Sequence, residues 1–216
     1  MKQLALFAEA GQSKNLPAEF LEYHPDFIST KESDNLLASF TNTTPWKQTT
    51  QRLWDKEYLT PRLTAWYGDM GTDYSVSGKI ANQLPWTDEL WMIKEMLEPL
   101  AGIRFNSVLL NYYRDGNDSV AWHSDKESIL GRRQVIASVS FGQVRNFDIR
   151  NKRDHKEHYS VRLEHGSFLL MKAGLQEIGY WVNCQGTHQP PLNRQRSATV
   201  SSPVNTVRSD GSEFYC

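Results

Sequence analysis

His123 and Asp125 lie one residue apart in a stretch that begins as a predicted strand. Alternate residues of an extended chain point to the same face, so this imidazole and this carboxylate can reach one metal ion. A histidine and an aspartate on one face are two of the three ligands of the 2-His-1-carboxylate triad, which suits non-haem Fe(II). The spacing therefore predicts part of a ferrous site.

Asn111 and Tyr113 are likewise two residues apart, on the strand that precedes the metal pair. By the same alternation their side chains share one face of that strand. The sequence thus predicts two polar groups on one strand that leads into the metal-binding turn.

Length and composition limit the class of protein. The chain has 216 residues, which suits one domain or one domain with a tail. With 24 basic and 25 acidic residues its net charge is −1, so binding to nucleic acid would need a local basic face. We expect a monomer.

The apolar stretches and the cysteines indicate where the protein is located. No run approaches the roughly 18 apolar residues of a membrane span, and the short apolar N-terminus reaches Glu9 too soon for a signal peptide. Two cysteines, Cys184 and Cys216, do not make a disulfide framework. The sequence predicts no membrane contact and a cytoplasmic location, or a nuclear one in a eukaryote.

The order of the elements predicts an α+β fold. Ser29-Thr30 offers an N-cap for a helix that stops near 43–45, and Thr87 caps a second helix that ends before Pro99 and Gly102. Alternation predicts two short strands between these helices and a run of strands after them. The predicted strands are 19–29, 46–50, 61–67, 105–112, 134–141, 146–150, 159–163 and 167–171. Helices followed by many short strands indicate a β-sandwich or barrel with helices attached.

The pattern of residue types changes from Leu175 onward. Strand periodicity fades, polar residues and proline dominate 185–203, and both cysteines fall in this part. We predict a loose N-terminal arm over 1–17, a folded domain over 18–174 and an irregular, poorly packed segment over 175–216.

Seven short motifs, in order, resemble the AlkB family of Fe(II)- and 2-oxoglutarate-dependent alkylated-DNA repair dioxygenases. The resemblance covers about 61–173. The matching segments are 61–62 (Pro-Arg), 67–69 (Tyr-Gly-Asp), Tyr74 with 77–78 (Ser-Gly), 111–116 (Asn-Tyr-Tyr-Arg-Asp-Gly), 123–125 (His-Ser-Asp) with Glu127, 136–142 (Ile-Ala-Ser-Val-Ser-Phe-Gly) and 165–171 (His-Gly-Ser-Phe-Leu-Leu-Met).

The resemblance implies a double-stranded β-helix, a jelly-roll-like sandwich with helices packed on one sheet. It implies Fe(II) at His123 and Asp125, and 2-oxoglutarate hydrogen-bonded to Asn111 and Tyr113, with O₂ as the oxidant. A nucleotide-recognition lid is expected over about 46–80. The residues expected near the nucleotide are Tyr67, Asp69, Tyr74, Ser77 and Glu127.

The resemblance breaks after 173–174. The family requires a third ligand histidine and then a strand with two arginines that hold the co-substrate. Here the only downstream histidine is His188, and Arg208 is the only faint counterpart of the arginine pair. An altered reading frame from Leu175 onward is one explanation, and sequencing the gene tests it.

The resemblance implies oxidative demethylation of N-alkylated bases in DNA, with release of formaldehyde and conversion of 2-oxoglutarate to succinate. Two alternatives remain open: an impaired member that only binds nucleic acid, and a dioxygenase acting on RNA or protein. Tyr67, Tyr74 or Trp66 could stack on the base. Phosphate contacts could come from several cations, although these could also be ordinary solvated charges. The cations are Arg132, Arg133, Arg145, Arg150, Lys152 and Arg153.

Overall fold

The computed structural model describes residues 20–53, 55–69, 74–76, 79–81, 83–123, 135–172, 175, 180–185 and 197–203. The two helices are α1 (Thr30–Thr43) and α2 (Asp88–Ala101). The strands are β1 (Leu21–His24), β2 (Thr50–Leu53), β3 (Lys56–Leu59), β4 (Leu63–Gly68), β5 (Tyr74–Val76), β6 (Lys79–Ala81), β7 (Ser107–Tyr113), β8 (Val120–His123), β9 (Ile136–Gly142), β10 (Arg145–Asn151), β11 (His158–Leu163), β12 (Ser167–Met171), β13 (Tyr180–Gln185) and β14 (Ser197–Pro203).

Two antiparallel sheets form the body of the protein. The larger has six strands in the order β1-β12-β9-β14-β7-β4, and the smaller has four in the order β11-β10-β13-β8. From β7 to β14 the chain passes back and forth between the two sheets, with β10 and β11 as a hairpin within the smaller one, as in a double-stranded β-helix. The predicted α+β jelly-roll class is confirmed.

The larger sheet contributes to two hydrophobic clusters, one on each face, and strand β9 has residues in both. Val139 and Phe141 pack in a cluster with residues of both helices. Ile136, on the opposite face, packs in a second cluster with Ile149 and Val182 of the smaller sheet. Since side chains alternate along a strand, the larger sheet has one face toward the helices and one toward the smaller sheet.

Both helices begin where the sequence predicted. The Ser29 hydroxyl accepts a hydrogen bond from the Glu32 N–H, and the Thr87 hydroxyl accepts one from the Leu90 N–H. Each bond satisfies an N–H that lacks a partner in the first turn. Helix α2 then buries Leu90, Ile93 and Leu97 against the sheet at the predicted helical spacing.

Helix α2 continues through Pro99 and ends directly before Gly102, so the predicted end is wrong at the proline and confirmed at the glycine. A proline in the last turn removes one intrahelical hydrogen bond, so it does not by itself end the helix there. The end is set at Gly102, which adopts φ 69° and donates its N–H to the Glu98 carbonyl oxygen.

The prediction of an irregular segment after Leu175 is wrong for two stretches. Strand β13 pairs with both β10 and β8, and β14 pairs with both β7 and β9. Val182 and Ala198 are each 2% exposed. Two-sided pairing supplies the backbone hydrogen bonds that a weak local pattern did not reveal. The predicted arm over 1–17 lies outside the described residues.

The region expected to form the nucleotide-recognition lid includes one strand of the larger sheet. Within 46–80, β2 pairs with β3 and β5 pairs with β6, as two separate hairpins. Strand β4 lies between them in the chain and forms an edge of the larger sheet. The strand predicted at 46–50 is reduced to a single bridge between Lys47 and Thr64. Neither of the two described helices is long and apolar enough to span a membrane.

Gly166 lies in a closely packed turn, and we expect Gly166→Ala to destabilise the protein strongly. Its φ is 77°, and an added Cβ would collide with the Ile28 carbonyl oxygen and lie 2.6 Å from the Ser33 hydroxyl oxygen. We expect a loss of about 3 kcal/mol or more from backbone strain and steric overlap together, measured by urea unfolding.

Gly102→Ala is the matched control. Gly102 also has a positive φ, but no atom lies within 4 Å of an added Cβ, so only the backbone strain of about 1 kcal/mol applies. Equal losses in the two variants would show that the close approach to Ile28 and Ser33 is unimportant.

Candidate active site

His123 ends β8 on the inner face of the smaller sheet. It pairs with Val182 of β13, which pairs with Ile149 of β10. Val182 and Ile149 belong to the cluster between the sheets. Directly paired residues project to the same face of a sheet, so the imidazole also lies on the side that faces the larger sheet.

A backbone hydrogen bond orients the His123 ring. Its Nδ1 lies 2.8 Å from the carbonyl oxygen of Ala121. A carbonyl oxygen only accepts, so Nδ1 carries the proton and Nε2 carries the lone pair. Metal-binding histidines characteristically donate their other ring N–H in this way. The tautomer is therefore the one that a metal at Nε2 requires.

The larger sheet presents a row of polar side chains to the same interior. The row follows the strand register across β4, β7, β14, β9 and β12, and all its members except Thr64 are buried. Its members are Thr64, Asn111, Thr199, Ser140 and Ser167. The next inner-face row contains Leu169, Ser138 and Leu109, and the row after it contains Ile136 and Met171. The interior therefore changes from polar to apolar over two rows.

Asn111 lies in the middle of this row, and its side chain is incompletely satisfied. The residue is 8% exposed, and its Oδ1 has no hydrogen-bond partner among the described residues. A buried polar atom without a partner costs roughly 1–3 kcal/mol. The amide can offer its oxygen or, after rotation, its NH₂ group to a ligand. Tyr113, two residues along β7, shares the face and is 2% exposed.

Arg145 of β10 is buried against Tyr113, which corrects its predicted role. The guanidinium carbon lies 4.1 Å from the centre of the Tyr113 ring, and the nitrogens donate to the carbonyl oxygens of Asp115 and Asp118. Arg145 is 5% exposed, so it cannot meet a phosphate at the surface. It instead joins β10 to the loop between β7 and β8. In the sequence Arg145 is one of several nearby cations, and the sequence alone does not distinguish this buried role from a phosphate contact.

The same loop is closed by an ion pair between Arg114 and Asp118. The Arg114 Nε and Nη2 donate to the two carboxylate oxygens at 2.8 and 2.9 Å, and the Arg114 backbone N–H donates at 2.9 Å. Burial alone would raise the pKa of Asp118. The hydrogen bonds from Arg114 and the charges of Arg114 and Arg145 outweigh it, so the pKa is lowered.

Two of the predicted substrate contacts are Tyr67 and Asp69. The structure corrects the first and shows a hydrogen-bond partner for the second. Tyr67 is 5% exposed and packs in the cluster on the helix side of the sheet, where it cannot stack on a base. Burial raises the pKa of its phenol. Trp66, the neighbouring residue, pairs with Leu109 on the opposite face, which is the face of Asn111. The Asp69 carboxylate accepts a hydrogen bond from the Trp86 Nε1 at 2.8 Å.

The remaining predicted site residues have side chains outside the described part of the chain. Tyr74 begins β5, but only its backbone is described. The others lie outside the described residues: Asp125, Glu127, Ser77, His188 and Arg208. Within the described part of the chain, no three His, Cys, Asp or Glu side chains gather around one point. His123, Asn111 and Tyr113 are the predicted site residues that the structure brings to the space between the sheets.

Comparison with known proteins defines the class. Residues 20–195 match the 2OG-Fe(II) oxygenase superfamily, and the chain belongs to this family. Two solved structures share the fold. OsALKBH1 aligns with a TM-score of 0.57 at 13% identity, over 84% of this chain and 97% of that one. A 2OG-Fe(II) oxygenase from Burkholderia pseudomallei aligns with 0.59 at 9% identity, over 91% and 88%.

Curated relatives place the chain near the AlkB proteins. It is 40% identical over 161 residues to the alpha-ketoglutarate-dependent dioxygenase alkB homolog 3 of Rattus norvegicus, covering 71% of this chain and 54% of the relative. It is 39% identical over 144 residues to the DNA oxidative demethylase ALKBH2 of Bos taurus, covering 67% and 52%. The chain thus spans about half the length of these relatives. The predicted resemblance to the AlkB-like Fe(II)- and 2-oxoglutarate-dependent dioxygenases is confirmed.

The described residues fit the cofactors that the family implies, Fe(II), 2-oxoglutarate and O₂. His123 offers Nε2 to the metal, and the unsatisfied Asn111 amide with Tyr113 offers hydrogen bonds to the keto acid. When bound, Fe(II) and 2-oxoglutarate supply activation of O₂ for hydroxylating a C–H bond. The protein's residues hold and orient these groups in a space lined by two sheets.

Asn111→Ala should weaken 2-oxoglutarate binding without unfolding the protein. A hydrogen bond to a charged group contributes roughly 1.5–3 kcal/mol, so we expect Kd to rise about 10- to 100-fold. Titration calorimetry with Mn(II) in place of Fe(II) measures this directly.

Asn117→Ala makes the same chemical change on the exposed loop six residues away, and its affinity for 2-oxoglutarate should equal that of the wild type. Unchanged affinity in Asn111→Ala would contradict the role assigned to the amide.

Asp118→Asn should lower the free energy of unfolding at pH 7 by about 1–2 kcal/mol, discounted because the Arg114 side chain is partly exposed. A lowered folded-state pKa adds stability above the unfolded pKa, and this is lost as pH falls through the folded value. The gap between variant and wild type should therefore be smaller at about pH 2.5 than at pH 7, because only the lower pH lies below the ordinary carboxyl pKa of 3.8. Urea titrations at both pH values test this, and a gap independent of pH would refute the assignment.

Proposed function

We propose that the chain is an oxidative demethylase of N-alkylated bases in DNA. One oxygen atom of O₂ enters the alkyl C–H bond, and the other enters succinate as 2-oxoglutarate loses CO₂. The hydroxymethyl group then leaves the base nitrogen as formaldehyde, and the nitrogen keeps the bonding electron pair. A cytoplasmic or nuclear location and a monomeric state stay predictions from the sequence.

The observation that carries this proposal is that the inner faces of the two sheets look into the same interior. His123 projects from the smaller sheet, and the row containing Asn111 projects from the larger sheet into the same interior. One face offers a metal ligand and the other offers hydrogen bonds to a co-substrate. The printed name of the bovine relative, DNA oxidative demethylase, supports alkylated DNA as the substrate class.

The surroundings of the site also suit a base taken out of its stack. Trp66 is partly buried on the inner face of the edge strand β4, next to the row that contains Asn111. Stacking of one base on an aromatic side chain contributes about 1–3 kcal/mol. A damaged base leaves the duplex at a lower cost than an intact pair, which favours alkylated sites over normal ones.

One observation favours a second candidate, an impaired member that binds nucleic acid without turnover. Strand β14 pairs directly with Asn111 through Thr199, and its sequence, Ser-Ala-Thr-Val-Ser-Ser-Pro, contains no arginine. The AlkB family is expected to hold its co-substrate with arginines on its last strand. A weak hold on 2-oxoglutarate follows if no other residue replaces them.

Formaldehyde and succinate release separate the two candidates. With Fe(II), 2-oxoglutarate and an oligonucleotide that carries an N-methylated base, an active demethylase releases both products in equal amounts. An impaired member binds the oligonucleotide but releases no formaldehyde. Parallel assays with methylated RNA and a methylated peptide test the third alternative, since the best substrate gives the highest kcat/KM.

His123→Ala should reduce formaldehyde release more than about 100-fold, because losing even a partner of a metal ligand costs 10- to 100-fold. His24→Ala is the control. His24 stacks on Phe168, at 5.4 Å between ring centres, on the far-edge strand and on the helix side of the sheet. Similar rates for wild type and His123→Ala would remove the metal assignment.

A further inference from the structure

We propose that Arg145 binds the distal carboxylate of 2-oxoglutarate, which is the carboxylate that is not next to the keto group. The proposal rests on the proposed function, because it assigns a residue to the co-substrate of that reaction. Strand β14 contains no arginine, so the positive charge that holds this acid has to come from another element. Four observations point to Arg145.

The first observation is that Arg145 projects into the space between the sheets. Arg145 and Ile149 lie four residues apart on β10, so their side chains share one face of that strand. Ile149 packs in the cluster between the two sheets. At the inner-face positions of the described strands of both sheets, Arg145 is the only lysine or arginine. It is therefore the cation that this part of the chain offers to an acid bound there.

The second observation is the end of the interior at which Arg145 lies. Its guanidinium nitrogens donate to the carbonyl oxygens of Asp115 and Asp118, in the loop that leads from β7 into β8. Strand β8 begins at Val120 and ends at His123, about 10 Å further along the chain. Arg145 and the metal ligand thus lie at opposite ends of β8. A 2-oxo acid chelates a metal through its keto oxygen and adjacent carboxylate, so its distal carboxylate extends away from His123.

The third observation is the contact between Arg145 and Tyr113. The guanidinium carbon lies 4.1 Å from the centre of the Tyr113 ring. Tyr113 is buried and shares the inner face of β7 with Asn111, and the resemblance to the AlkB family implies that both residues bind 2-oxoglutarate. A guanidinium that stacks on an aromatic face keeps its N–H groups directed outward in its own plane. Arg145 is therefore held against a residue that is expected to bind the same acid.

The fourth observation is that Arg145 has a donor and a charge left for a ligand. The residue is 5% exposed, and its Nε has no hydrogen-bond partner among the described residues. Its acceptors in the loop are neutral carbonyl oxygens. The charge of Arg145 helps to lower the pKa of Asp118, but that carboxylate is already bound by Arg114. A buried cation without a direct anionic partner costs free energy, and an acid bound beside it recovers part of that cost.

The test compares 2-oxoglutarate with 2-oxopentanoate, which has a methyl group in place of the distal carboxylate and is otherwise the same acid. Titration calorimetry of the full chain with Mn(II) in place of Fe(II) gives both Kd values. Arg145→Met keeps a long side chain without the charge, and it should raise the Kd of 2-oxoglutarate about 10- to 100-fold. The Kd of 2-oxopentanoate should stay within about twofold of the wild-type value, because this acid lacks the group that Arg145 binds.

Three further variants control for charge, folding and position. Arg145→Lys keeps the charge and should retain more of the preference for 2-oxoglutarate than Arg145→Gln does. Arg145→Gln can still donate to a carbonyl oxygen of the loop, so it should fold even if Arg145→Met does not, and it should lose the preference to the same extent. Arg114→Met removes a charge from the same loop, where the Arg114 side chain is 43% exposed, and should leave the preference unchanged.

The outcomes separate this proposal from the proposed function. A selective loss of affinity for 2-oxoglutarate in a chain that releases no formaldehyde supports the contact and overturns the demethylase. Unchanged affinity in the Arg145 variants, with normal formaldehyde release by the wild type, overturns the contact and leaves the demethylase intact. Equal losses for the two acids would show that Arg145 only supports the loop, and this result also overturns the contact. So does a wild type that binds the two acids equally or binds neither.

Discussion

The interior between the two sheets is apolar toward one end and polar toward the other, and the rest of the structure depends on that difference. Ile136, Leu169, Ile149 and Val182 hold the sheets together by apolar burial. Beside them lies the row that contains Asn111, with buried side-chain oxygens on Asn111 and Ser140 that lack partners among the described residues. Each such atom costs free energy that a ligand recovers. The fold therefore gives up some stability to maintain a binding space.

The relative position of the two halves of the site is set by one loop. Asn111 and Tyr113 belong to β7 in the larger sheet, whereas His123 belongs to β8 in the smaller one. The loop between these strands is where the chain crosses from sheet to sheet. The Arg114–Asp118 pair closes it, and Arg145 ties it to β10 and to the Tyr113 ring. A buried arginine with several acceptors suits this task, because its planar group donates in fixed directions.

Local signals in the sequence predicted a large share of this arrangement. Each of these signals depends on neighbours within a few residues. They are the helix caps at Ser29 and Thr87, the helical spacing of Leu90 and Ile93, and the position of Asn111 and Tyr113 on one face of a strand. The helix continued past Pro99 because the αL conformation of Gly102 and the packing of Leu97 determine its end. Strand β14 was missed because its residues are polar, and its stability comes from pairing on both sides.

By itself the sequence determined which residues can do chemistry, since residue type and two-residue spacing decide what a strand presents on one face. It also determined the order of helices and strands, and hence the fold class. Only the tertiary structure decided which face looks inward. Tyr67 and Trp66 are adjacent and both aromatic, yet the register of β4 with β7 directs the first toward the helices and the second toward the site. Likewise, of the cations suggested for phosphate, Arg145 is buried and Arg153 is exposed, because strand partners and turn geometry lie far apart in the chain.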